Sequence, residues 1–181
     1  GGVHCLKYGL TVHNVLKVRG FTVEGDPGEF GSAALDSPGY DLLALATGSE
    51  GMLAITMEVT VRLLPKPRLA RCIMASFGDV RNAGEAVAAI IAAGITPAGL
   101  EMMDGPMTRA AEDFVHAGYD VDAAAILLCE SDGTPEEVAE EIDRMTAVLQ
   151  QAGATGITVS ASEEERLRFW SGRKNAFPAS G

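Results

Sequence analysis

Three stretches of the sequence hold residue types whose spacing suits chemistry. Phe169-Trp170-Ser171-Gly172-Arg173-Lys174-Asn175 carries the single tryptophan and two adjacent cations in an otherwise acidic region. A planar guanidinium grips a carboxylate through two parallel hydrogen bonds, so Arg173 is the better candidate for an anionic ligand and Lys174 the weaker one. The plain alternative is a helix that packs Leu167 and Trp170 inward and leaves both cations solvated. Gly48-Ser49-Glu50-Gly51 is a glycine-punctuated turn running into a strand. Gly1-Gly2-Val3-His4-Cys5-Leu6-Lys7-Tyr8-Gly9 is a glycine-bounded loop, and paired glycines let successive N–H groups approach an anionic ligand closely. Taken singly, each glycine segment is no more than a turn.

Other arrangements are excluded. His4, His13 and His116 lie far apart without ligand spacing, and His116 reads as a surface or capping residue. The acidic clusters Glu136-Glu137, Glu140-Glu141 and Glu163-Glu164-Glu165 read as solvated helix faces. No Ser-His-Asp set, phosphate-binding loop or dinucleotide fingerprint occurs.

The 181 residues carry a formal charge of −11, which argues against a nucleic-acid partner. Cys5, Cys72 and Cys129 are odd in number and widely spaced, which suits core thiols in a reducing compartment better than a disulfide framework. No apolar run approaches the roughly 20 residues that span a bilayer, and residues 1–20 lack a basic start followed by an apolar block. Charge is uneven: five basic and seven acidic side chains precede residue 68, and nine and eighteen follow. A break near Pro65-Pro67 therefore divides the chain into 1–67 and 68–181. Both ends read as cut, as in an internal piece of a longer protein.

The elements that must position these residues change character at that break. Residues 12–23 alternate as an amphipathic strand, Glu24 to Glu29 is a turn, and Phe30 begins the return of a hairpin. A short helix through Tyr40 to Ala46 starts from a cap at Asp36 or Ser37, with Pro38 in its first turn. Ile55, Met57, Val59 and Val61 then alternate with polar residues as a half-buried strand, closed by Pro65 and Pro67. Beyond it, strands at 71–77, 98–103, 123–130 and 156–160 alternate with helices over 79–93, 107–117, 134–152 and 162–177. The run 123–130 is almost uniformly apolar, as expected of a strand buried on both faces. The class is α+β, with the second part a two-layer, loosely ferredoxin-like domain.

The two glycine segments, in this order and ahead of this strand, resemble the flavin-contacting segments of FAD-linked oxidases of the vanillyl-alcohol-oxidase (PCMH) type. Within that family the chain is most similar to the flavoprotein subunits of bacterial glycolate oxidases, over essentially its whole length. The strongest runs are 1–9, 42–67, 100–104 and 170–179. The resemblance implies the C-terminal part of a PCMH-type FAD-binding domain (1–67), followed by the N-terminal part of a ferredoxin-like cap or substrate domain (68–181). It implies FAD contacts at Gly1, Gly2, Tyr8, Gly9, Glu50 and Ile55, and a substrate carboxylate held by Arg173. Ala54 departs from the usual glycine, and Met57 from the common threonine. The implied activity is FAD-dependent oxidation of a small (R)-2-hydroxy acid, foremost glycolate to glyoxylate, with D-lactate or D-2-hydroxyglutarate dehydrogenation as the alternative. The implied partners are a second flavin-type subunit and an iron–sulfur subunit, in the cytoplasm or at the inner membrane. The family's catalytic and metal-binding motifs fall outside these residues. This piece alone is therefore expected to bind FAD weakly and to be inactive. A reading from another class is a non-catalytic ferredoxin-like ligand-binding or oligomerisation module.

Overall fold

The computed structural model describes residues 2–32 and 39–181. Gly1 and the expected cap at Asp36 or Ser37, with Pro38, lie outside the described residues. The chain separates into two units, Gly1–Pro65 and Lys66–Gly181.

In the first unit two single-turn helices, α1 (Cys5–Tyr8) and α2 (Thr11–Asn14), precede strand β1 (Val15–Thr22). The strand expected from Val12 begins three residues late. Asn14 is the reason, since its side-chain amide donates to the Tyr8 and Leu10 carbonyls and ties the turn closed. The hairpin forms as expected, but its return strand β2 (Pro27–Gly31) starts at the proline, which an edge strand tolerates. Helix α3 (Leu42–Ala46) is capped by Asp41, whose Oδ1 accepts from Ala44 N–H at 3.0 Å. Strand β3 (Ala54–Val61) completes an antiparallel sheet ordered β2-β1-β3.

β3 departs from the expected pattern in two ways. Its pairing with β1 shifts between Arg19↔Glu58 and Gly20↔Thr56, which leaves Met57 as the extra residue of a bulge. Val59 then shares a face with Val18, whereas Ile55 shares the opposite face with Phe21, so the regular apolar stripe is split. Gly20 marks the bulge: a Cβ there would sit 1.9 Å from the Ile55 carbonyl oxygen. The strand is also not half-buried. Ile55, Met57, Val59 and Val61 are all exposed, because a three-stranded sheet flanked by single-turn helices covers little of either face.

The second unit runs β4 (Leu69–Phe77), α4 (Val80–Ala92), β5 (Gly99–Asp104), α5 (Gly105–Val115), β6 (Ala125–Gly133), α6 (Pro135–Gln151), β7 (Gly156–Val159), α7 (Glu163–Lys174) and α8 (Ala176–Ala179). The sheet is antiparallel throughout and ordered β5-β6-β4-β7. That is the split-βαβ order of a ferredoxin-like fold, with α5 inserted between the second and third strands.

Two layers were expected and three are found. Ile73, Ala75, Phe77, Leu127 and Cys129 pack on one side against Ala83, Ala86 and Ile90 of α4 and Val138, Ile142, Met145 and Leu149 of α6. The register puts Cys72, Leu128 and Glu130 on the other side, where Trp170 of α7 meets Glu130. Helices on both faces account for the uniform burial of β6. Cys72 and Cys129 are free buried thiols, and burial raises both well above an ordinary thiol, which makes them inert. The last helix, expected through Phe177, stops at Lys174 and restarts as α8. His116 ends α5 in the left-handed region, φ 53°, which bears out the capping alternative.

Candidate functional site

α7 begins at Ser162, whose Oγ accepts from Glu165 N–H at 3.1 Å, with three acids facing the positive end of the helix. Arg166, Trp170 and Arg173 follow at spacings of four and three, one face of a helix. That face meets carboxylates instead of an apolar surface. Glu130 of β6, 3% exposed, accepts at one oxygen from Trp170 Nε1 and from Arg166 Nη1, both at 2.6 Å. Arg166 uses Nε and Nη2 on Glu163, at 2.8 and 2.7 Å, and the Glu163 hydrogen bond, then Glu130, drives its pKa upward. One turn on, Arg173 donates from Nε to Glu101 of β5 at 2.9 Å.

The register places Glu101 opposite Leu128 and Gly99 opposite Glu130, so both carboxylates lie on the sheet face that α7 covers. Leu167, expected inward beside Trp170, is exposed, and Phe169 takes the buried place. Periodic hydrophobicity missed this because the inward face of α7 is built from charges. Arginine–acid complementarity between α7 and the two strands was the signal available.

Close packing fixes the turn that carries Arg173. The Tyr119 hydroxyl donates to the Phe169 carbonyl and accepts from Gly172 N–H. A Cβ on Gly172 would stand 2.2 Å from Tyr119 Cε2, so only glycine fits beside the ring. Burial, the largest influence, pushes the Tyr119 pKa up to about 12. In an unfolded chain the phenol ionises near its reference value of 10.0. Below that value the phenol is neutral in both states and the contribution is complete. As pH rises further, the unfolded state loses its proton first and stability falls. The thermal midpoint should therefore drop more steeply between pH 10 and about 12 in the unmodified chain than in Tyr119→Phe. Parallel curves for the two would show that this hydroxyl does not titrate with folding.

In the first unit a groove of about 530 Å³ runs between the α3–β3 turn and the sheet. Val15, Val18, Val59 and Val61 give it an apolar floor, and Gly48 to Gly51 form its rim. Gly48 (φ 84°) and Gly51 (φ 80°) bracket Glu50, which is itself left-handed at φ 54°. The turn closes through Ser49 N–H to Ala46 and Met52 N–H to Ser49. Added Cβ atoms at Gly48 and Gly51 would meet nothing within 4 Å, so these glycines serve their backbone angles and keep an open rim. Ala54 lies in β3 outside the left-handed region, and alanine is at ease there.

Of the residues singled out in this unit, Glu50 and Ile55 line the groove. Gly2, Tyr8 and Gly9 do not line it, although Thr11, two residues beyond Gly9, does. Gly1 is outside the described residues. The side chain that orders this N-terminal turn, Asn14, was not anticipated. Among the described residues no group of His, Cys, Asp and Glu could hold a metal, and no helix is long and apolar enough to cross a membrane.

The family model for FAD linked oxidases, C-terminal domain, matches residues 66–181. Over all 181 residues the chain is 63% identical to glycolate oxidase subunit GlcD of Escherichia coli strain K12, spanning 36% of that protein. It is 28% identical over 182 residues to the probable mitochondrial D-lactate dehydrogenase of Danio rerio, covering 98% of this chain and 36% of that one. Among solved structures, p-cresol methylhydroxylase superposes with a TM-score of 0.66 at 16% identity, over 87% of this chain and 37% of that one, a likeness of fold alone. The chain thus spans about a third of the length of these relatives.

Proposed function

The chain belongs to the FAD-linked oxidases, and from that premise we propose that it is part of a longer flavoprotein that oxidises a small (R)-2-hydroxy acid, glycolate foremost. The observation that carries this reading is the state of Arg173. Its Nε is held by Glu101, while among the described residues neither terminal nitrogen has a protein acceptor, and the side chain is 43% exposed. That leaves the paired N–H edge of the guanidinium free for a carboxylate.

The first unit fits FAD as a cofactor. An apolar sheet floor under an open glycine rim suits a flat ring system, and a turn with successive positive φ angles lets backbone approach a ligand closely. Glu50 and the backbone at Ile55 would sit by the FAD, and Gly1, Gly2, Tyr8 and Gly9 would lie along its pyrophosphate and flavin. Residues 1–67 would be the second half of the FAD-binding domain, and 68–181 the first part of the cap that brings Arg173 to the substrate. Bound FAD would supply a two-electron acceptor for the oxidation, and the hydroxyl proton would pass to a base that is not among these residues. Arg173 orients the carboxylate, and Tyr119, Gly172 and Glu130 hold the helix that carries it. Assembly with a second flavin-type subunit and an iron–sulfur subunit, at the cytoplasmic side of the inner membrane, belongs to the same proposal.

A substrate panel on the purified full-length protein tests this reading. Glycolate should bleach the flavin absorbance and reduce an artificial dye faster than D-lactate or D-2-hydroxyglutarate. Preference for D-lactate would move the protein to the dehydrogenase branch. A colourless protein inert to all three would favour the ligand-binding module.

A further inference from the structure

We propose that Glu101 is a positioning residue for substrate oxidation: it holds the Arg173 guanidinium by Nε so that the two terminal nitrogens face the substrate carboxylate. The proposal rests on the reading of Arg173 as the carboxylate anchor. A free arginine side chain has several rotatable bonds and can meet an anion by either N–H edge. Here one edge is engaged, because Nε donates to Glu101 Oε2 at 2.9 Å. Glu101 is itself held through both its backbone and its side chain. Its backbone lies in β5, paired to Leu128 of β6, and its side chain is 23% exposed under α7. Its pairing uses only the Nε position, so the guanidinium keeps its bidentate face while losing a degree of freedom.

The same carboxylate has a second effect on binding. A negative charge beside the cation weakens attraction for any anion. Glu101 therefore trades raw affinity for orientation, and removing its charge should separate the two. A group that merely props the fold would not do this.

The experiment uses the full-length flavoprotein and two probes, glycolate for turnover and acetate as a non-reacting carboxylate read through the flavin spectrum. Glu101→Gln is expected to lower kcat for glycolate about fivefold or more, since a neutral amide holds Nε more weakly than a carboxylate and a loosened orientation slows reaction from the bound complex. It should also bind acetate more tightly by about twofold or more, since the cation is no longer neutralised. Unchanged kcat, or weaker acetate binding, overturns the proposal. Glu101→Asp keeps the charge and shortens the reach. It should lower kcat with acetate affinity unchanged, so a kcat equal to that of the unmodified protein overturns the proposal even where the glutamine variant folds poorly. The Arg173 reading fails separately: Arg173→Lys would then leave both probes unaffected. If Arg173→Lys weakens both probes and Glu101→Gln changes neither, Arg173 stands as the anchor and only the positioning role falls.

Discussion

Arg173→Lys in the full-length protein is expected to raise KM for glycolate by about one to two orders of magnitude, with flavin content near normal. Lysine keeps the charge but offers a point donor in place of a planar fork. Losing one charge-assisted hydrogen bond weakens binding by about 1.5–3 kcal/mol, which appears in KM where KM tracks affinity. The structure sharpens the expectation, because Arg173 is already bonded at Nε to Glu101. A lysine ammonium at that position would share one point charge between Glu101 and the substrate, and it has no planar edge to grip both oxygens of the substrate carboxylate. Lys174→Arg is the control, since no substrate role falls to Lys174. If both variants turn over glycolate and D-lactate like the unmodified protein, Arg173 is a surface cation paired to Glu101 and the substrate assignment is withdrawn.

What the sequence made legible, and what it hid, follows from the kind of force involved. Val138, Ile142, Met145 and Leu149 recur at helical spacing within 134–152 and form the buried stripe of α6, because apolar burial writes its own period into the chain. Thr134, Pro135 and the acids after them mark the start of the same helix, where the structure closes a capping box between Thr134 and Glu137. The uniformly apolar run of β6 foretells burial on both faces, yet the second part reads as two layers, since α7 has only Phe169, Trp170 and Leu167 as large apolar residues, too few to write a stripe that announces a third. The polar face of α7 is invisible to hydrophobic periodicity, and its partners Glu130 and Glu101 lie in strands 36 and 72 residues distant. In the first unit, perfect alternation along β3 concealed the bulge at Met57. A single inserted residue leaves composition and period intact and moves only the register. Gly20 was the one clue, a glycine inside an amphipathic strand.

The buried end of α7 supports the second large expectation. Glu130→Ala should destabilise the 181-residue chain by about 3–5 kcal/mol, the range for removing one partner of a buried ion pair. Two donors lose their acceptor at once, Trp170 Nε1 and Arg166 Nη1, and one of them is a cation only 17% exposed. Arg166 keeps Glu163, but that carboxylate is 63% exposed, and a solvent-screened pair replaces little of what is lost. Trp170 is the only tryptophan of the 181 residues, so its fluorescence reports this site directly during chemical denaturation. Glu130→Gln keeps an acceptor and loses the charge, and it should cost less, about 1.5–3 kcal/mol. Exchanging the pair together, Glu130→Leu with Arg166→Met, should cost less than Glu130→Ala alone, because a buried ion pair replaced by apolar groups is often neutral. A Glu130→Ala chain that unfolds within about 1 kcal/mol of the unmodified one would mean that Phe169 and Tyr119 hold α7 without help from the charges. The arginine at its far end would then be positioned by packing alone.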